Sequence, residues 1–256
     1  MKKQLVVLLF AVLVGLHSRP VAAQSSDVDF LLANSEAEGV LAGFRPAFNQ
    51  HLAQLGVRPT AELNAALDEV LTVEALLPIM REAFAAQGEP AAFAAAAELV
   101  RGGAIGRVHA QVDTIELTVP LAEYAATVDA SPPPQEPREL ICSITHAHAA
   151  WEFYLLISET QREASTIVAS SISFYVSEFV PLPEDQQAEL NQQYLIGAFY
   201  SFLQRYESVS DAELNQVLAE WQSDTGRWFV RAYSYAVAEV AYEAADRIVQ
   251  RISGSS

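Results

Sequence analysis

Lysine is almost missing from this chain of 256 residues: Lys2 and Lys3 are the only two. Cysteine occurs once, as Cys142, so no intramolecular disulfide staples the fold. Past the N-terminus no uncharged run reaches the roughly 20 residues of a membrane-spanning helix. The longest, Ala164 to Ser177, has 14 residues, five of them serine. There is no glycine-rich phosphate loop, because Gly102-Gly103 lacks both the spacing and a lysine. No Gly-x-Ser-x-Gly nucleophile elbow occurs. Basic residues are scarce throughout, 15 against 32 acids, a formal charge of −17. That balance excludes nucleic acid and anionic membrane surfaces as partners, since both need basic patches.

The two lysines belong to an export pattern. They precede an uncharged apolar run, Leu5 to Leu16, and then Val21-Ala22-Ala23, with small residues at −3 and −1. This order predicts a secretory signal over 1–23, cleaved after Ala23, and a periplasmic or secreted location. The remaining chain, from Gln24, holds 12 basic residues, all arginine, against 32 acids, or −20. Without lysine it has no Schiff-base, P-loop or lysine general-base chemistry. Its one thiol is expected to be a small buried hydrophobe.

What is abundant is hydrophobic sequence at helical spacing, 51% of the chain. Ser210-Asp211-Ala212-Glu213 is a capping box, followed by Leu214, Val217, Leu218 and Trp221 on one face. Gly226 reads as a helix stop or tight turn. A last helix is expected from about Arg227 to Ile252. On it, Phe229, Tyr233, Val237, Val240, Ala244 and Ile248 oppose a stripe that includes Glu243 and Arg247. Thr60 and Thr72 are candidate N-caps, and Leu190, Tyr194, Ala198, Phe202 and Tyr206 step by four. Only 112–119 offers a strand candidate. The expected fold is all-α, a multi-helix bundle of about nine to eleven helices. The proline-rich stretch 131–137 reads as a linker between an N-terminal helical half, 24–130, and a C-terminal helical domain, 138–252, with a tail at 253–256. Seventeen of the 24 aromatics lie from Trp151 onward.

The segment Glu213, Leu214, Trp221, Ser223, Gly226 and Arg227 resembles the signature of an exported bacterial helical family catalogued as domain of unknown function 2059. The opening Phe30 to Ser35 is similar to how its members begin, whereas Asp224 stands where the family often has proline. The resemblance implies a helical exported protein and carries over no catalytic residue. Ala104-Ile105-Gly106-Arg107 also mirrors Asp224-Thr225-Gly226-Arg227 at an offset of 120 residues. Two related halves and a coincidence of helix-turn chemistry account for that equally well.

One cluster could carry chemistry: Cys142, His146, His148 and Glu152. Glu139, Cys142 and His146 share one helix face, His148 and Glu152 another. The metal reading takes His146 or His148 with Glu152 and outside carboxylates; the alternative is a partly buried histidine pair beside Trp151. Adjacent acids such as Asp68-Glu69 and Glu184-Asp185 fit solvation or helix dipoles better than acid–base work. The aromatics Tyr194, Phe199, Tyr200, Phe202 and Tyr206 fit a core. No catalytic residue and no cofactor are implied. The leading expectation is a non-catalytic exported binding protein for a protein partner or small apolar ligand. The alternatives are a metal-binding protein or metal-dependent hydrolase, and a self-associating envelope protein, a homo-oligomer.

Overall fold

A computed structural model describes residues 21–112, 119–148, 150–173, 176 and 179–254. Most of the expected signal and of the strand candidate therefore lies outside the described residues, as does the side chain of Glu152.

The described chain is all-α, without a strand among the described residues. Its helices are α1 (Val21–Ala33), α2 (Ala37–Ala42), α3 (Phe44–Gln54), α4 (Ala61–Val70), α5 (Val73–Ala85), α6 (Pro90–Gly102) and α7 (Ala104–Val112). After them come α8 (Leu121–Ala130), α9 (Gln135–Ala147), α10 (Ala150–Ile172), α11 (Glu184–Arg205), α12 (Asp211–Gln222) and α13 (Asp224–Gly254). They outnumber the expectation because short pieces such as α2 and α3, parted only by Gly43, count separately. No described helix is long and apolar enough to cross a membrane.

Local chemistry sets the helix starts. The Thr60 and Thr72 hydroxyls each accept the amide three residues on, at 3.1 Å. Ser210 and Glu213 close the capping box reciprocally. The proline segment is shorter than its sequence suggests. Gln135, Glu136 and Pro137 already form the first turn of α9, where proline's missing N–H costs nothing.

Side chains then sort into two cores. The first gathers α1–α6 around α10 and α13, with Phe44, Phe48, Phe84 and Phe93 fully buried. The second gathers α7, α8, α9, α11 and α12 around Ile105, Ile144, Leu203, Tyr206 and Trp221. Both cores draw on residues from either side of the proline segment. The α13 helix, 31 residues and so about 46 Å long, joins them. Its Phe229 packs against both. Close approach of α10 to α13 is permitted by small side chains, with Ala164 and Ala169 on one helix and Ala236, Ala241, Ala244 and Ala245 on the other all buried. The buried hydroxyls of Thr160, Ser165 and Thr166 donate to carbonyls four residues back, which leaves none of them unpaired inside.

Candidate functional site

The site is built where α9, α12 and α13 meet, and the α12–α13 junction makes it possible. Gly226 does not stop a helix. It is the third residue of α13, and the break falls one turn earlier at Ser223, in extended geometry (φ −65°, ψ 160°). The Ser223 hydroxyl accepts the Gly226 amide at 3.0 Å and donates to the Glu220 carbonyl at 2.6 Å. A Cβ at Gly226 would overlap that same carbonyl, so glycine is required by close approach and not by an unusual φ. The α6–α7 junction repeats this layout: Gly103 is extended (φ −70°, ψ 176°), Gly106 is third in α7, and its Cβ would overlap the Val100 carbonyl. The two junctions also touch. Glu220 accepts the amides of Ala104 at 2.7 Å and Ile105 at 2.8 Å, capping α7 from 116 residues away.

With the junction in place, α12 ends on Trp221 and Gln222, and the first two turns of α13 present Arg227, Val230 and Arg231. The last turn of α9 adds His146 and Ala147. Together they line an open groove of about 380 Å³. Trp221 is almost wholly buried, at 3% exposure, while both arginines are exposed. Arg227 donates to Asp224 at 3.0 Å, an i,i+3 pair at the surface. Arg231 donates through Nε to the Arg227 carbonyl at 3.4 Å and has no carboxylate partner among the described residues. A larger groove, about 590 Å³, lies near Glu69, Arg247 and Arg251. It neutralises itself: Arg251 pairs with Glu69 at 2.7 Å and Arg247 with Glu243 at 2.9 Å.

Of the four residues singled out for metal chemistry, Glu152 has its side chain outside the described residues, and the other three part company. On α9 the buried face is Ile141, Ile144 and Thr145. Glu139, Cys142 and His146 share the opposite, exposed face, so Cys142 is not the buried hydrophobe its residue type suggests. His146 opens into the groove. His148, at the C-cap of α9, turns inward. Its ring meets Trp221 edge-on at 4.5 Å between centroids and Phe202 at 5.3 Å. The residue keeps some exposed surface, but its Nδ1 is sealed from solvent and has no hydrogen-bond partner among the described residues. Burial, reinforced by nearby His109, pushes His148 down to about 4, so the ring is neutral at physiological pH. Behind it, His109 Nε2 lies 3.3 Å from the Tyr206 hydroxyl. Among the described residues no three His, Cys, Asp or Glu side chains converge on a metal position.

The remaining candidates fall into ordinary roles. Glu184 and Asp185 occupy the first turn of α11, and Asp68 takes Arg45 at 2.8 Å. Phe202 and Tyr206 pack in the second core, as expected of aromatics stepping by four. Sequence reasoning missed Arg231 and Glu220 as site-forming residues. Arg231 had a signal, its place one turn after Arg227; Glu220 had none, because its partners are distant in the chain. No family model, curated protein or solved structure matches this chain.

Proposed function

We propose that this is an exported, non-catalytic helical binding protein and that the α9–α12–α13 groove is its contact site. The observation that carries the reading is the make-up of that groove. An apolar floor of Trp221, Ala147 and Val230 lies beside polar heads from three helices. Sites for small molecules are of this kind, concave and apolar with a few placed polar groups. Trp221 and Arg227, two of the residues that carry the family resemblance, both line it. The signal pattern over 1–23 supports export.

Two measurements test the reading. Expressed with its full N-terminus in a bacterial host, the protein is expected in the periplasmic or secreted fraction with Gln24 as its first residue; a cytoplasmic protein that retains 1–23 overturns export. A thermal-shift screen of small amphipathic compounds is expected to give stabilising ligands whose effect disappears in Val230→Trp, which fills the groove. Ligands that stabilise that variant as strongly as the wild type place binding elsewhere and overturn the assignment.

A further inference from the structure

We propose that the groove selects a carboxylate: its ligand is a small organic acid with an apolar body, held at its anionic end by Arg227 and Arg231. This rests on the reading of the groove as the binding site and adds the charge class of the ligand.

The charge distribution makes the case. Acids outnumber basic residues 32 to 15 in this chain, yet none of the described residues lining the groove is acidic. Arg227 and Arg231 stand one helical turn apart on α13 and so project side by side. Arg231 lines the groove and has no carboxylate partner among the described residues. Among the described residues Arg227 pairs only with Asp224, whose side chain is fully exposed, at 101%. An exposed pair of that kind contributes little, so a ligand carboxylate competes with it readily. Planar guanidinium groups match a carboxylate in bidentate geometry, which a lysine pair would not. The apolar floor supplies what the head does not: Ala147, Trp221 and Val230 accept a short hydrocarbon body. A volume of about 380 Å³ is near the small end for ligand sites and fits a body of several carbons, not a large ligand.

The test is titration of the purified full chain with hexanoate, hexanol and hexylamine, followed in ¹⁵N–¹H spectra through the indole resonances. Hexanoate is expected to shift the Trp221 indole signal and to bind at least tenfold more tightly than hexanol, with hexylamine weaker still. Arg231→Gln and Arg227→Gln, both on exposed side chains, are expected to lose about tenfold in hexanoate affinity with unchanged melting temperatures. Inorganic phosphate alone is expected to compete weakly. If hexanol binds as tightly as hexanoate and Val230→Trp abolishes both, the groove is a binding site but the carboxylate assignment is overturned. If phosphate competes as well as hexanoate, the site reads charge alone and the amphipathic ligand class is overturned. If hexanoate binds Val230→Trp as well as wild type, or shifts no indole signal, both readings fall.

Discussion

His148 makes the stability of this fold depend on pH in a way that a single substitution can isolate. Its ring is enclosed by Trp221 and Phe202, and burial holds its pKa at about 4 against an ordinary 6.5. The folded state therefore favours the neutral ring. Above 6.5 neither state binds the proton and the stability is intact. Between 6.5 and 4 the unfolded chain binds a proton that the folded chain refuses, so stability falls as pH falls. The loss reaches about 2 kcal/mol at pH 5 and approaches about 3 kcal/mol below pH 4, taking 1.36 kcal/mol per pKa unit. This is a large share of a typical net stability of about 5–15 kcal/mol. Urea unfolding of wild type and His148→Phe, followed by tryptophan fluorescence from pH 8 to pH 4, measures it. The phenylalanine variant keeps an aromatic ring against Trp221 and cannot titrate. Its stability relative to wild type is expected to rise by about 2 kcal/mol between pH 7.5 and pH 5. Parallel curves for wild type and His148→Phe would mean that acid sensitivity comes from the carboxylates alone and that His148 contributes none of it.

Three further outcomes concern glycines and a helix junction. Gly226→Ala and Gly106→Ala each drive a methyl group into a carbonyl oxygen and are expected to cost about 1–3 kcal/mol or more in urea unfolding. Gly39→Ala, inside α2 with no atom within 4 Å of the new Cβ, is expected to stabilise by about 0.4–1 kcal/mol. Glu220→Gln turns one of the two acceptors facing Ala104 and Ile105 into a donor. It is expected to cost about 1–3 kcal/mol and to speed hydrogen exchange at those two amides; unchanged protection there would remove Glu220 as the cap of α7.

How far the sequence is legible varies with the range of the interaction. Leu214, Val217 and Trp221 are buried on the face that their spacing predicts, because a face is a property of one helix. The Glu243–Arg247 pair forms at 2.9 Å for the same reason. Boundaries are read less well. Gly226 reads as a stop or a tight turn; it does sit at the tight α12–α13 junction, but the residue that breaks the helix is Ser223, through its hydroxyl and extended backbone. Cys142 is misread because residue type speaks only for averages. On α9 the apolar face runs through Ile141, Ile144 and Thr145, and Cys142 lies off it. In the candidate site, Trp221, Arg227, His146 and His148 all stand out in the sequence. Their division into a groove and an enclosed aromatic block does not, since α9 must first dock on α12.

By itself the sequence determines the all-α class, the caps and the buried face of most helices. Periodicity and capping act within a turn or two of the chain, so they survive without tertiary context. It also determines an acidic chain without lysine chemistry after the first three residues. Only tertiary structure decides that Glu220 caps a helix 116 residues away, that His148 is sealed against Trp221 while His146 faces solvent, and that Arg227 and Arg231 share a groove with no acid among its described lining. Each of these depends on helices distant in sequence meeting at one place. That meeting is set by the sum of many weak packing contacts, which no local pattern records.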